Sequence, residues 1–449
     1  MKKISIEYHI RKEDEKKYLF LPFEVPEGVE RMDIAYSYKG DKDDARVTEK
    51  KKNVIDFGLL DQNGDDIGTT GSEQKFITIS PSFSTGGYKK REIKKGTWQI
   101  IVGAYQIREE GVTVTYDIVF HMKKARWLKG DTHMHTTNSD GRYTAMELAQ
   151  KAKKKGLDFI MITDHNNNLE DLPMPQVSGL TVIRGLELTN YRGHMNLYGV
   201  GKPYDGSFAI NSKEEFFKRT SQALERGALI SINHPMCSLC PWLMEYSGFP
   251  YHAIEVWNGI MRRDNLKNIQ LWNDMLKEGK RLTAIGGSDY HRDFYITDLF
   301  ASPILRVLAD CNSQTDILDA IRKGRCVITR SSNSTMIYMS CGDVQVGGEI
   351  KYKKDLKVNI KVEKMLRGHK LKVIDKEGCF FEFKAPRKGD FSFEVALRGK
   401  GFVRCEIEYE KSPIGKLLHR ALFYFIIRKE AYQPVPPFIY ALTNPIYIV

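Results

Sequence analysis

Residues 130–141 read GDTHMHTTNSDG, with His133 and His135 one residue apart and Asp140 five residues past the second imidazole. On a strand, residues i and i+2 point to the same side, so His133 and His135 can grip one metal ion. Asp140 lies in the loop beyond and can reach an adjacent ion. Imidazoles with carboxylates suit zinc, manganese or iron. The same residue types recur further along. His165 ends DFIMITDH, His234 ends ALISINH, and Asp289 and His291 end RLTAIGGSDYH. Glu187 follows the apolar run Leu180 to Leu186, where a carboxylate can bridge two ions, and His194 comes seven residues later. A lone histidine in a strand is more often a satisfied structural group than a ligand. Five separate strand ends, each presenting His, Asp or Glu, reverse that reading.

These groups need elements that bring them together. From about Trp127 to Arg330, helices alternate with short apolar strands. Thr144 with Glu147 forms a capping box that starts a helix, Gly156 closes it, and DFIMITDHN follows as a strand. Ser212 with Glu215, then Gly227 and ALISINHP, repeat the arrangement. A third helix is expected over about Asp264 to Glu278, closed by Gly279 and followed by RLTAIGGSDYH. Helix, glycine, strand and polar cluster, three times over, predict βα units around a parallel sheet. In a parallel α/β barrel the C-terminal strand ends share one rim, and the active site lies there. Polar groups distant in sequence then meet in space. Seven of the eleven histidines fall in this middle segment, which is where such a rim would be built.

The flanks have a different period. WQIIVGAYQI and GVTVTYDIVF alternate apolar and polar residues, placing Val112, Val114, Tyr116, Ile118 and Phe120 on one face. Residues 1–125 therefore read as a β-sandwich-like domain, 126–330 as the α/β domain, and 331–449 as a second β-rich domain. In the last, LKVNIKV aligns Leu356, Val358, Ile360 and Val362, and TNPIYIV reads as a closing strand.

The 449 residues are 41% hydrophobic and 28% charged, an ordinary soluble composition that excludes wholesale disorder. The net charge of +12 is partly concentrated in Lys50 to Lys52, Lys89 to Arg91 and Lys151 to Lys155. Such runs are usually solvated surface, and they lend mild support to an anionic substrate. Seven cysteines, an odd number, and a start without an apolar core segment predict a cytoplasmic protein. The longest apolar stretch, Leu417 to Ile427, is too short to span a bilayer as a helix and reads as a core element of the last domain.

Taken in order, HMHTTNSDG, ITDHN, GLE, NHP and GGSDYH resemble the motif set of the polymerase and histidinol phosphatase (PHP) superfamily. The flanking β domains and the closing NPIYI resemble its carbaryl-hydrolase-like branch. The motifs cover roughly residues 127 to 330 and are specific for fold and metal binding rather than for substrate. The resemblance implies a distorted seven-stranded (β/α) barrel with up to three metal ions. It assigns one ion to His133, His135, Glu187 and Asp289, a second to Glu187, His194 and His234, and a third to Asp140, His165 and His291. All nine positions carry competent ligands.

Hydrolysis by a metal-activated hydroxide is the expected chemistry, since a bound ion can lower the pKa of its water from 15.7 to about 7. Asp289 is cast as proton acceptor and Glu187 as the bridging carboxylate. Asp164 is cast as a group that orients an imidazole, with a structural role as the alternative. Arg142, Arg192 and Arg292 lie near the motifs and suit a phosphate; the alternative for each is exposed surface. Asn258, in EVWNG, is placed on the rim. Cys237 and Cys240 form one C-x-x-C, which cannot close a tetrahedral zinc site alone and reads as two ordinary thiols, with a redox pair as the alternative.

The leading function is therefore a phosphoesterase acting on a small phosphorylated or nucleotide substrate with two or three divalent ions (zinc, manganese or iron). The second is an amide, carbamate or ester hydrolase using the same ions. A glycan- or protein-binding module with the barrel as scaffold ranks third. Nucleic acid ranks last as a partner, because no basic-aromatic pattern accompanies the charge.

Overall fold

The structure is a computed structural model that describes residues 1–40, 52–167, 173–294, 298–426 and 428–449. Lys50, Lys51 and Ile427, which belong to stretches singled out above, lie outside the described residues. The Cα positions divide the chain into two compact units: Met1–Ala125 with Asp310–Ser313, and Arg126–Ala309 with Gln314–Val449.

In the first unit, β1 (Lys2–Ile10), β8 (Val112–Met122), β3 (Val29–Tyr38) and β6 (Phe76–Ile79) form one antiparallel sheet in that order. A second is formed by β2 (Tyr18–Val25), β7 (Gly96–Gln106), β4 (Val54–Leu60) and β5 (Asp66–Thr70). The two-residue period does the work expected of it. Val112, Val114, Tyr116, Ile118 and Phe120 are all buried, with Trp98 and Phe57 in the same core. Tyr36 stacks between Phe57 and Tyr116, at 5.5 and 5.8 Å between ring centres.

The second unit opens with β9 (Arg126–Met134), α1 (Ala145–Lys154), β10 (Phe159–Ile162), β11 (Thr181–Asn190) and β12 (Gly193–Tyr198). It continues through α2 (Lys213–Glu225), β13 (Leu229–Ile232), β14 (Ala253–Asn258), α3 (Arg263–Lys277) and β15 (Thr283–Gly287), then β16 (Ile304–Ala309), α4 (Gln314–Arg322) and β17 (Cys326–Thr329). Thr144 and Ser212 cap α1 and α2 as expected, each accepting from the backbone N–H three residues on while the Glu side chain returns to the cap.

Strands β9 to β15 are neighbours in chain order. Pairs β9–β10, β10–β11, β13–β14 and β14–β15 are parallel. The alternation expected from sequence breaks at β11–β12. Glu187 does not end its strand: β11 runs on to Asn190, turns, and returns as the antiparallel β12, which pairs antiparallel again with β13. The unexpected strand β12 thus precedes the expected helix α2, and it runs antiparallel because Asn190 to Gly193 is a turn too short for a parallel return. Beyond β15 the chain comes back against β9: Met134 bridges in parallel to Tyr290, and His135 N–H donates to the Tyr290 carbonyl at 3.0 Å. Gly287 permits this approach, since a Cβ there would lie 2.5 Å from the His133 Cβ.

The remaining strands are all in this unit. One sheet holds β18 (Met336–Cys341), β19 (Val344–Gln345), β21 (Lys357–Met365) and β24 (Gly389–Ala396). The other strands are β20 (Glu349–Ile350), β22 (Lys370–Asp375), β23 (Gly378–Lys384), β25 (Gly401–Tyr409), β26 (Phe438–Thr443) and β27 (Ile446–Ile448). Through the antiparallel pair β17–β26 they continue the sheet that contains β9. The closing TNPIYIV indeed ends as a strand, β27, paired with β25 and β20. Mixed α/β structure with strand-rich flanking regions is thus observed. The stretch read as a core element is the helix α5 (Pro413–Ile426), followed by the short α6 (Arg428–Ala431). Its burial is one-sided: Phe423 and His419 are buried while Leu417, Leu418 and Phe425 are exposed. No described helix is long and apolar enough to cross a membrane.

Candidate metal centre

His133 lies on β9, with His135 just past its end; His165 follows β10, His234 follows β13, and Asp289 and His291 follow β15. Glu187 and His194 lie diagonally across the β11–β12 hairpin, two register steps apart, since Glu187 pairs with Asn196 and His194 with Thr189. All of these side chains converge. Glu187 is 1% exposed and has five imidazoles around it: His165 at 2.8 Å, His194 at 3.2 Å, His133 at 3.4 Å, His234 at 3.5 Å and His135 at 3.6 Å. Asp289 Oδ1 lies 3.1 Å from His135 Nε2 and 3.5 Å from His133 Nε2. Asp140 Oδ1 lies 3.3 Å from His291 Nε2 and 3.6 Å from His165 Nε2.

The backbone at this rim is strained in a way that aims the side chains. His234 and Asp289 both adopt left-handed conformations, with φ of 28° and 51°. For residues with a Cβ this costs on the order of 1–3 kcal/mol and persists where the surroundings impose it. Gly141, in the S-D-G motif, folds back so closely that a Cβ would lie 2.2 Å from the His135 carbonyl oxygen. That turn carries Asp140 towards His165 and His291.

A second layer of polar groups fixes the imidazoles. Glu255 accepts from His133 Nδ1 at 3.0 Å, which turns the Nε2 edge of the ring towards Glu187 and Asp289. The His291 Nδ1–H donates to the Asp289 carbonyl at 2.9 Å, leaving Nε2 towards Asp140. Asn258 Nδ2 donates to both Glu255 and Asp289, at 3.1 and 3.2 Å. Asn233 Nδ2 donates to Glu187 at 2.8 Å. Asp164 takes the structural role given above as its alternative. It accepts from the Thr136 N–H and hydroxyl and from the Ser139 hydroxyl, at 2.6–2.8 Å, and so pins the loop after His135 instead of orienting an imidazole.

Charge follows from this crowding. Burial alone would raise the Glu187 carboxyl, yet His133, His165 and His194 outweigh it and hold it well below the carboxylate range. Burial opposes the charge on Asp289 too, and His133 and His135 overcome it in the same direction. Burial also disfavours a charged His133, but Glu255, Asp289 and Glu187 together raise its pKa well above normal. For His135 burial wins, and its pKa falls.

Four atoms in this cluster are buried without a hydrogen-bond partner: His133 Nε2, both ring nitrogens of His135, and Glu187 Oε2. Orphans of this kind are costly and call for an explanation. Their separations are informative: ligand atoms bound at ~2.0–2.1 Å around one tetrahedral ion lie roughly 3.3–3.4 Å from each other. Three groups have donor atoms mutually within 4.8 Å: His133, His135 and Glu187; His135, Asp140, His165 and His291; and His194, His234 and Cys240. The residues fit divalent cations. All nine sequence-predicted ligands lie in this one cluster.

A cavity of about 550 Å³ opens onto it, lined by Asp140, His234, Asn258, Asp289 and His291 together with Arg142, Arg262 and Arg292. Asn258 is thus at the rim, as expected. Arg192 is exposed in the β11–β12 turn and does not line this cavity. Glu255 and Arg262 were missed. Glu255 had a usable signal, a carboxylate inside the apolar strand AIEVWN. Arg262 had none in the local pattern, and Cys240, singled out in the C-x-x-C, was read as an ordinary thiol.

Residues 131–225 match the family model described as PHP domain. A DNA polymerase/3'-5' exonuclease (PolX) of Bacillus subtilis is 41% identical over 66 residues, 14% of this chain and 12% of that protein, so the chain matches only a small part of that relative. Among solved structures, a two-domain protein containing a predicted PHP-like metal-dependent phosphoesterase from Bacteroides vulgatus aligns at 19% identity, covering 63% of this chain and 90% of that one, with a TM-score of 0.39. An amidohydrolase from Chromobacterium violaceum with bound sulfate aligns at 14% identity over 45% of this chain and 98% of its own, with a TM-score of 0.25.

Proposed function

Because the chain carries a PHP domain over residues 131–225, we propose that it is a metal-dependent phosphoesterase acting on a small anionic substrate with two or three zinc, manganese or iron ions. The observation that carries this reading is the set of buried, partnerless donor atoms around Glu187, open on one side to a cavity lined by three arginines. Within the proposal, β9 to β15 form a distorted barrel, residues 1–125, 126–330 and 331–449 are the chain's three domains, and the resemblance of the flanking β regions supports the carbaryl-hydrolase-like branch.

Divalent ions supply an acidified water and polarise the phosphoryl oxygen. His133, His135, Glu187 and Asp289 would hold one ion, Glu187, His194 and His234 a second, and Asp140, His165 and His291 a third. The protein's own part is positional. Asp289 presents Oδ1 to the two imidazoles while Asn258 fixes Oδ2, so its proton-accepting oxygen is aimed before substrate arrives. Arg142 and Arg292 offer guanidinium forks at the cavity wall, a geometry suited to phosphate oxygens. Arg262 is held more rigidly, by Asp264 at 3.5 Å and by the Asn258 carbonyl at 3.4 Å.

The test is metal content paired with a hydrolase panel under Mn²⁺ and Zn²⁺. Roughly two or three equivalents are expected, lost in a His133→Ala, His135→Ala double variant, with phosphate released from monoesters or diesters. Turnover of carbamates or amides without phosphate release would replace the phosphoesterase reading with its runner-up. Less than about half an equivalent under metal-replete conditions would remove both.

A further inference from the structure

The sequence shows one C-x-x-C after the N-H-P motif, and the two thiols have unequal surroundings. Cys237 turns back onto the strand end: its N–H donates to the His234 carbonyl at 2.8 Å, and its Sγ lies 3.9 Å from Arg262 Nη2. Cys240 faces it, with its Sγ 3.3 Å from Cys237 Sγ. Its Sγ lies 3.7 Å from His234 Nδ1, and it shares a group of mutually close donors with His194 and His234. For an ion with Zn–S near 2.3 Å and Zn–N near 2.0–2.1 Å, sulfur and nitrogen ligands stand roughly 3.6 Å apart. Both thiols line the cavity, Cys237 buried and Cys240 half-buried.

We propose that Cys240 supplies a thiolate to the ion held by His194 and His234. This rests on the metal-dependent reading above and deepens it. The positions then differ in chemistry. His194, His234 and Cys240 form a soft nitrogen–sulfur set that favours zinc, whereas Asp140, His165 and His291 form a nitrogen–oxygen set that also accepts manganese or iron. Binding releases the thiol proton to solvent, as thiolate ligation requires.

The experiment uses the full chain in a Cys379→Ser background, which removes the exposed thiol. Cd²⁺ is titrated into this protein and into its Cys240→Ser, Cys240→His and Cys237→Ser derivatives. Bound metal is counted by mass spectrometry, and the thiolate-to-cadmium charge-transfer absorption is recorded. The absorption is expected in the background and in Cys237→Ser, and absent in Cys240→Ser and Cys240→His, with Cys240→His keeping the ion count. Zinc preference over manganese is expected to fall by on the order of 10–100-fold in Cys240→Ser. Absorption that persists in Cys240→Ser, or is missing from a background protein that holds its ions, overturns the thiolate ligand and leaves the metal site standing; Cys240 then only hydrogen-bonds His234. A background protein that holds no ion overturns both.

Discussion

The two units spend their buried polar groups differently. In the first, strands alternate cleanly and the core is aromatic and aliphatic; a partnerless buried atom there, such as Tyr116 Oη, is neutral and isolated. In the second, neutral ones such as Asn196 Oδ1 and Asn268 Nδ2 also occur, but those of His133, His135 and Glu187 belong to ionisable side chains, sit together, and lie at strand ends beside a cavity. Both arrangements are buried. Only the second has a reason to keep its donors unsatisfied, because a cation can satisfy them all at once. Clustered orphans therefore separate a site from a packing defect better than burial or charge does.

The largest break in that contrast is expected from Glu187→Gln, since one carboxylate faces five imidazoles. Metal affinity should fall beyond the roughly 10–100-fold typical of outer-layer changes, read by titration with a chelator competitor. Retained affinity would show that Glu187 only neutralises the histidines. Glu255→Gln comes next. It can still accept from His133 but no longer carries charge, and a loss of about 10–100-fold is expected with the fold intact by circular dichroism.

A smaller effect concerns pH away from the cluster. Burial, helped by Arg330, pushes the His369 imidazole down to about 4. The unfolded chain binds this proton near pH 6.5 and the folded one does not, so the contribution is fully present above about 6.5 and is lost as pH falls towards 4. The melting temperature should decline over that window, and His369→Gln should flatten the slope. The smallest change is expected in the first unit. Tyr116→Phe removes an unsatisfied hydroxyl and should leave stability within about 1 kcal/mol, on the stabilising side, with metal content unchanged. A large destabilisation would mean that this hydroxyl has a partner after all.

Much of the site was legible because chemistry-bearing residues stood where apolar runs ended. His133, His135, His165, His234, Asp289 and His291 could be placed together from period and punctuation alone. Asp164 and Arg192 show the limit. Both are polar and adjacent to motifs, yet one ties down a loop and the other sits exposed on a turn. Adjacency in sequence does not say which way a side chain faces after a turn. The same holds for Cys240: its C-x-x-C is visible in the sequence, but it reaches His234 only because the loop after β13 folds back, with Trp242 N–H donating to the Pro235 carbonyl at 2.9 Å.

The sequence by itself determined which segments are strands and helices and which residues are able to ligate, since side-chain periodicity and ligand chemistry are local properties. Tertiary structure decided the rest: that the chain makes a hairpin at Glu187 and His194, that Glu255 and Asn258 stand behind His133 and Asp289, and which arginines face the cavity. Those choices depend on strand order and loop closure between residues 150 or more positions apart, such as Tyr143 and Asp293, and no local pattern encodes a distance through space.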